Sequence, residues 1–200
     1  LLKTGHAMEG EIERVRERAR QEMAERLALL SETKDLIDPL TDLPNRRQFE
    51  AHLQVEHHKS TKEHQPLCVL ALAVDDYKTI VEVYGQSGAD AALGHFARVL
   101  ETSLRDRDIA ARSEAEIFHA LLSETTTHEA SYVAERIRQK TETTPARWKN
   151  QVIFMTCSIG VYGISEGSFD TNVEQLMKTT DNALKHARLN GCNRVSIGPV

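Results

Sequence analysis

The 200-residue chain has little cysteine, a single tryptophan and no long apolar run. Cys68, Cys157 and Cys192 are odd in number, far apart and outside any C-x-x-C spacing, which argues against a disulfide framework or a thiolate zinc site. A reducing cytoplasm is the expected setting. No stretch approaches the roughly 20 apolar residues that cross a bilayer, and no signal peptide opens the chain. A start at Leu1 rather than methionine leaves room for a longer protein with membrane, sensor or other signalling domains. Excess positive charge is lacking too: the net charge of -5 removes the general attraction to nucleic acid, and Trp148 between Arg147 and Lys149 is weak evidence for it. The hydrophobic share of 40% is enough for one soluble core with an extension.

What is present is periodicity. Met8, Ile12, Val15, Ala19, Met23, Leu27 and Leu30 recur every three or four positions among charged residues, the pattern of an amphipathic helix. Its apolar stripe is too thin for a large core, so it is expected to pair with a second copy as a homodimeric stalk; the alternative is a helix folded back on its own domain. Pro39 disfavours helical geometry at Asp38 and Pro44 suits the first turn of a new helix, dividing the chain into a stalk at 1–36 and a domain at 37–200. Phe49, Leu53 and Val55 suggest a short helix, and LCVLALAV at 67–74 reads as a buried central strand. Leu93, Phe96, Ala97, Leu100 and Leu104 mark a helical face. Segments 109–112 and 117–122 read as paired strands around a turn at Ser113 to Glu116. A charged helix at 127–142, a strand at 151–161, a helix carrying Leu176, Met177, Ala183, Leu184 and Ala187, and a strand at 194–197 complete the order. This alternation with one hairpin predicts an α/β (α+β) fold, a mixed sheet with helices packed on it.

The segment DPLTDLPNRRQFE at 38–50 resembles the opening signature of GGDEF (diguanylate cyclase) domains. Further matches follow in that family's order: DDYK at 75–78 with YG at 84–85, RDRD at 105–108, EAEIF at 114–118, TCSIGV at 156–161 and DNALKHARLNGCNRV at 181–195. The resemblance implies a palm-like, largely antiparallel sheet flanked by helices, as in nucleotide cyclases and polymerases. For active members it implies that two domains each bring one GTP, and that magnesium-assisted attack of a 3'-hydroxyl on phosphorus yields cyclic di-GMP.

Magnesium takes hard oxygen ligands in near-octahedral array. The position matching the family's first metal-binding Asp is Ala73, with Asp75 remaining two residues on. Where the family has two glycines, an acid, a Glu and Phe, this chain reads Glu114, Ala115, Glu116, Ile117 and Phe118; Glu116 keeps one acid and Ile117 loses the other. Glu114 adds bulk and negative charge facing a triphosphate, where a glycine would permit positive torsions and close approach. The nucleotide-bonding Asn matches Val81 and the adjacent Asp is Glu82, and Gly88 and Ala89 depart from the family's loop. Asp90 matches the guanine-reading carboxylate and Arg188 stands where the family usually has Lys. Asp75, Lys78, Asp90, Glu116 and Arg188 thus form either a residual nucleotide pocket or the surface charges of a relic. The expectation is a domain without catalytic residues, with no resident cofactor and little affinity for magnesium.

Arg105 and Asp108 have the R-x-x-D spacing, and lie relative to the hairpin where the family binds cyclic di-GMP as an inhibitor. An arginine fork donates to O6 and N7 of guanine while a carboxylate accepts from its ring N–H and amine, so the pair suits one base. Arg107 is a less certain contact to phosphate. The resemblance implies a further arginine on the following helix, and ungapped counting makes it Arg136, with Arg138 as the neighbouring alternative. The plain alternative is a solvated charge run near a helix end. The expected function is therefore a non-catalytic receptor for cyclic di-GMP; an interaction domain without nucleotide, or a weak GTP-binding regulator, are the alternatives.

Other residues carry less. Adjacent His57 and His58 face different sides of a helix and do not close a metal site with His64, nor do His52 and Glu56. His119 should face the side opposite Phe118 and, without a neighbouring nucleophile, read as structural. Ser158 lacks a G-x-S-x-G context and fits a core strand.

Overall fold

The computed structural model describes residues 17–18, 20–21, 36–165 and 168–199. The chain divides into two units, Leu1–Ile37 and Asp38–Val200. In the first, residues 17, 18, 20 and 21 are helical, and Arg20 lies 3.7 Å from Glu17. The rest of the expected stalk, with its pairing, lies outside the described residues.

The second unit starts with a closed turn, in which the Asp38 amide donates to the Leu43 carbonyl at 2.8 Å. Helix α1 (Arg46–Glu63) follows, opened by Asn45, whose side chain accepts from the Gln48 amide. Pro44 is therefore outside the helix; its carbonyl accepts from the Arg112 amide and ties the turn to the sheet. The helix is longer than the apolar residues suggest. Phe49 and Leu53 bury its inner face, but Val55 is 65% exposed, since it falls off that stripe.

Strand β1 (Leu67–Val74) is buried along its whole length. Helix α2 (Tyr77–Glu101) is kinked at Gly85, where φ of 69° breaks the helical path. Then come β2 (Ile109–Glu114), β3 (Ile117–Ser123) and α3 (Thr127–Thr143), the last opened by a reciprocal cap between Thr126 and Glu129. The strand expected at 151–161 is divided: β5 (Gln151–Ile153) forms a two-stranded ribbon with an unanticipated β4 (Ala146–Trp148), and β6 (Cys157–Ile164) joins the main sheet. Just before β6 the Thr156 carbonyl accepts from the Asp75 amide, which carries the pairing with β1 one residue further. Helix α4 (Val173–Leu189) and β7 (Val195–Ile197) complete the unit.

The main sheet runs β2-β3-β1-β6-β7, antiparallel except for β6 with β7. This is the mixed, mostly antiparallel sheet that the pattern implied. Alternation along β1 sends Leu67 and Val69 to a core with Phe49, Leu53 and Leu176, and Leu70 and Leu72 to one with Phe96, Phe118 and Ile137. Each such fully buried side chain contributes about 1.5–3 kcal/mol. Helix α4 packs directly on the sheet at Gly160, where a Cβ would fall 2.2 Å from the Leu184 amide nitrogen. Among the described residues no helix is long and apolar enough to cross a membrane.

Candidate functional site

The C-terminal end of β1 is where a cyclase would gather its metal ligands. Ala73 pairs with Ile117 on one side and Ser158 on the other. Ala71, Ala73 and Leu184 form a buried cluster against which Ile117 packs. The remaining acid, Asp75, is 3% exposed and its carboxylate is already occupied: Oδ1 accepts from Ser158 Oγ at 2.7 Å, and Oδ2 from Thr156 Oγ1 at 2.7 Å and the Asn193 amide at 2.9 Å. Among the described residues no three His, Cys, Asp or Glu side chains are grouped to hold a metal ion. This donor set does not fit magnesium.

The other residual-pocket residues are scattered around that corner. Glu116 and Arg188 approach to 3.6 Å. Asp90 accepts from Gln86 Nε2 at 2.8 Å, one turn past the Gly85 kink, while Lys78 is exposed before it. No described hydrogen bond joins Lys78 or Asp90 to Asp75, Glu116 or Arg188. Glu114 departs from expectation, because Arg46 of α1 holds its carboxylate at 2.7 Å and balances the charge that was to face a triphosphate. The hairpin turn is also tighter than Ser113 to Glu116, since β2 runs on to Glu114. Ala115 sits there at φ of 30°, where the family uses glycine.

The RxxD segment follows α2 as a turn closed on itself: the Asp108 amide donates to the Arg105 carbonyl at 2.9 Å, and Asp108 Oδ2 accepts from the Arg105 amide at 3.0 Å. Asp108 Oδ1 is buried and has no hydrogen-bond partner. Arg105 and Asp108 line a cavity of about 350 Å³ with Leu43, Pro44 and Leu104. The Arg105 guanidinium makes no described hydrogen bond or ion pair. Arg107, in contrast, forms a half-exposed ion pair with Glu124 at 3.0 Å.

The two helix arginines also separate. Arg136 Nη2 donates to the Ser103 carbonyl at 2.6 Å, which anchors it beside the end of α2. Arg138 is paired with Glu135 and Glu142 and donates to Asn193 Oδ1 at 2.7 Å. Hydrogen bonding to Glu135, despite partial burial, holds the Arg138 guanidinium more firmly protonated than usual. Its donors are spent inside the protein, whereas Arg136 is described with one hydrogen bond, to the carbonyl of Ser103 two residues before Arg105.

A third cluster was missed. Ser113 Oγ lies 2.6 Å from His119 Nδ1, and His119 Nε2 lies 2.9 Å from Asp181 Oδ1. His119 does face away from Phe118, but it has the neighbouring hydroxyl that the sequence reading denied it. A shift of register between Arg112 and Glu114 brings Ser113 there. The remaining candidates are structural: His57 Nε2 contacts the Thr171 carbonyl, Ser158 is buried on Asp75, and Trp148 carries Lys149 over its ring. Burial pushes the Cys68 and Cys157 thiols up to about 12, so neither is a nucleophile near neutral pH.

Residues 35–194 match the family of the diguanylate cyclase GGDEF domain. Diguanylate cyclase A of Treponema denticola is 32% identical over 165 residues, covering 80% of this chain and 43% of that protein. A diguanylate cyclase of Vibrio cholerae serotype O1 is 30% identical over 176 residues, covering 88% of this chain and 52% of that protein. The chain thus spans about half the length of these curated relatives. The crystal structure of diguanylate cyclase SiaD from Pseudomonas aeruginosa, in complex with its activator SiaC, superposes with a TM-score of 0.77 at 29% identity over 98% of this chain and 76% of that one. The β1 corner, the hairpin and the RxxD turn therefore sit in a chain that belongs to the diguanylate cyclase GGDEF-domain family.

Proposed function

We propose that this domain does not turn over GTP and instead acts as a receptor for cyclic di-GMP, read by Arg105 and Asp108 with Arg136 beside them. The observation that carries this reading is the buried Asp108 Oδ1, without a hydrogen-bond partner, in a cavity that Arg105 lines together with the acidic Glu101 and Asp106. A guanine supplies what Asp108 and Arg105 lack, two N–H donors for the carboxylate and the O6 and N7 acceptors for the fork. The apolar pairing of Ala73 with Ile117 and the three hydrogen bonds that Asp75 accepts within the protein support the reading that turnover is lost. In this reading the 1–36 segment associates two copies, and ligand changes that association; light scattering with and without cyclic di-GMP measures it.

Calorimetric titration with cyclic di-GMP is expected to show binding that Arg105→Ala weakens by about 10–100-fold, the worth of one bidentate base contact. GTP with magnesium or manganese is expected to give no cyclic di-GMP. Absence of heat at high ligand concentration rejects the receptor, and clear product rejects the loss of catalysis.

A further inference from the structure

We propose that Ser113, His119 and Asp181 form a nucleophilic site that hydrolyses small carboxylic esters, independently of any nucleotide at the RxxD turn. The three side chains make one hydrogen-bonded line, from hydroxyl to imidazole at 2.6 Å and from imidazole to carboxylate at 2.9 Å. That is the set of roles an activated serine needs: a base in contact with the nucleophile, and a carboxylate fixing the tautomer of the base. With Asp181 accepting from Nε2–H, the Nδ1 lone pair faces Ser113 Oγ–H. The imidazole is held in place, since His119 is 3% exposed on β3 and its ring packs 5.5 Å from that of Phe49. Ser113 is half-buried on the opposite strand and opens into a groove.

That groove has a volume of about 460 Å³, within the range of small-ligand sites, and all three residues line it. Ile117, Leu184 and Leu189 give it an apolar wall; Lys185 and Arg188 bring positive charge, with Arg188 3.6 Å from Glu116, and Arg46 and Glu114 add an ion pair at its rim. Among the described residues Lys185 makes no ion pair. The wall suits a short acyl chain and the cations suit a developing oxyanion. Ser113 Oγ attacks the ester carbonyl carbon as its proton passes to His119 Nδ1, and Asp181 stabilises the imidazolium. The carbon–oxygen bond then breaks, and the departing alkoxide takes that proton and leaves as an alcohol. Water, losing a proton to His119, hydrolyses the acyl-serine; the acid departs and Ser113 regains its proton.

The test uses the purified chain with a fluorophosphonate probe and with p-nitrophenyl butyrate. The expected result is probe attached to Ser113 by peptide mass spectrometry, and hydrolysis that Ser113→Ala reduces to background. His119→Gln is expected to lower the rate by about 100-fold or more. Asp181→Asn, which removes a positioning residue, is expected to lower it by at least tenfold and to move its pH profile. Ser113→Ala deletes one hydroxyl from a half-buried position and decides the matter even if the His119 variant misfolds, with circular dichroism confirming its fold. Unlabelled Ser113, or equal hydrolysis by wild type and Ser113→Ala, overturns the proposal.

Discussion

The end of β1 and the RxxD turn, the two nucleotide sites that the family resemblance implies, differ in how their polar atoms are used. At the end of β1 each oxygen of the Asp75 carboxylate is answered by the protein, and Ala73 and Ile117 are packed with Ala71 and Leu184. At the turn Asp108 Oδ1 is buried without a hydrogen-bond partner, and the Arg105 guanidinium makes no described hydrogen bond and lies in the field of Glu129. An unmet buried acceptor costs about 1–3 kcal/mol, whereas apolar side chains paired across strands stabilise the sheet. The first region is part of the core. The second keeps an unmet acceptor that, under the proposed function, ligand binding answers.

The largest expected effect comes from forcing the first region back toward the second. Ala73→Asp places a carboxylate at a position with 0% exposure, opposite Ile117 and against Leu184. With no cation or donor to meet it, the charge is expected to cost about 3 kcal/mol, or roughly 10 °C in Tm for a domain of this size. Thermal unfolding followed by circular dichroism measures it. A variant that melts with the wild type, or that magnesium raises back to the wild-type Tm, would show that the corner still opens to a metal. Arg105→Ala should leave stability within about 0.5 kcal/mol of wild type while weakening ligand binding, because its exposed guanidinium makes no described hydrogen bond or ion pair.

The contrast between the two regions was largely visible in the residues themselves. An eight-residue apolar run gave β1, and Ala73 and Ile117 are apolar by identity alone. The RxxD spacing was equally plain, but not that Arg107 would turn to Glu124 or that Arg138 would be spent on Asn193; those depend on partners 17 and 55 residues away. Glu114 finds Arg46 at a separation of 68 residues, which no local pattern foretells. The serine, histidine and aspartate line was illegible for a sharper reason. A bulge leaves no periodic signature, and without the register shift after Arg112 nothing marks Ser113 as the neighbour of His119. The same register information was missing at 151–161, where the apolar pattern runs through the break between β5 and β6.

A smaller effect concerns the wall of the RxxD cavity. Asp38 closes the turn that carries Leu43 and Pro44, accepting from the Thr41 hydroxyl at 2.7 Å and from Arg112 Nη1 at 3.2 Å. Partial burial works to raise its carboxyl, but the Thr41 hydroxyl and Arg112 outweigh it and hold the group below its ordinary value of 3.8. Asp38→Asn is therefore expected to cost about 2 kcal/mol at pH 7, from lost charge-assisted bonds. A carboxyl lowered on folding stabilises fully above its unfolded value, and the stabilisation fades as pH falls through the folded one. Denaturant midpoints of the two proteins should differ at pH 7 and converge below pH 3.8; a constant gap would detach this ion pair from the turn. Cyclic di-GMP should also bind the variant less tightly at pH 7, as Leu43 and Pro44 loosen.

The smallest effect isolates backbone from chemistry at the hairpin. Ala115 holds φ of 30°, a left-handed conformation that a Cβ makes costly and that glycine adopts freely. Ala115→Gly is expected to stabilise the protein by about 0.5–1 kcal/mol, the relief of strain exceeding the added freedom of the unfolded chain. It should not bring back GTP turnover, because the hairpin's backbone is not what the β1 corner lacks. A rise of a few degrees in Tm with no cyclic di-GMP formed would separate the two losses, of glycine and of carboxylates. Product from Ala115→Gly alone would instead mean that Glu116 and Asp75 suffice for the metal, and that the contrast between the corner and the RxxD turn had been drawn from the wrong residues.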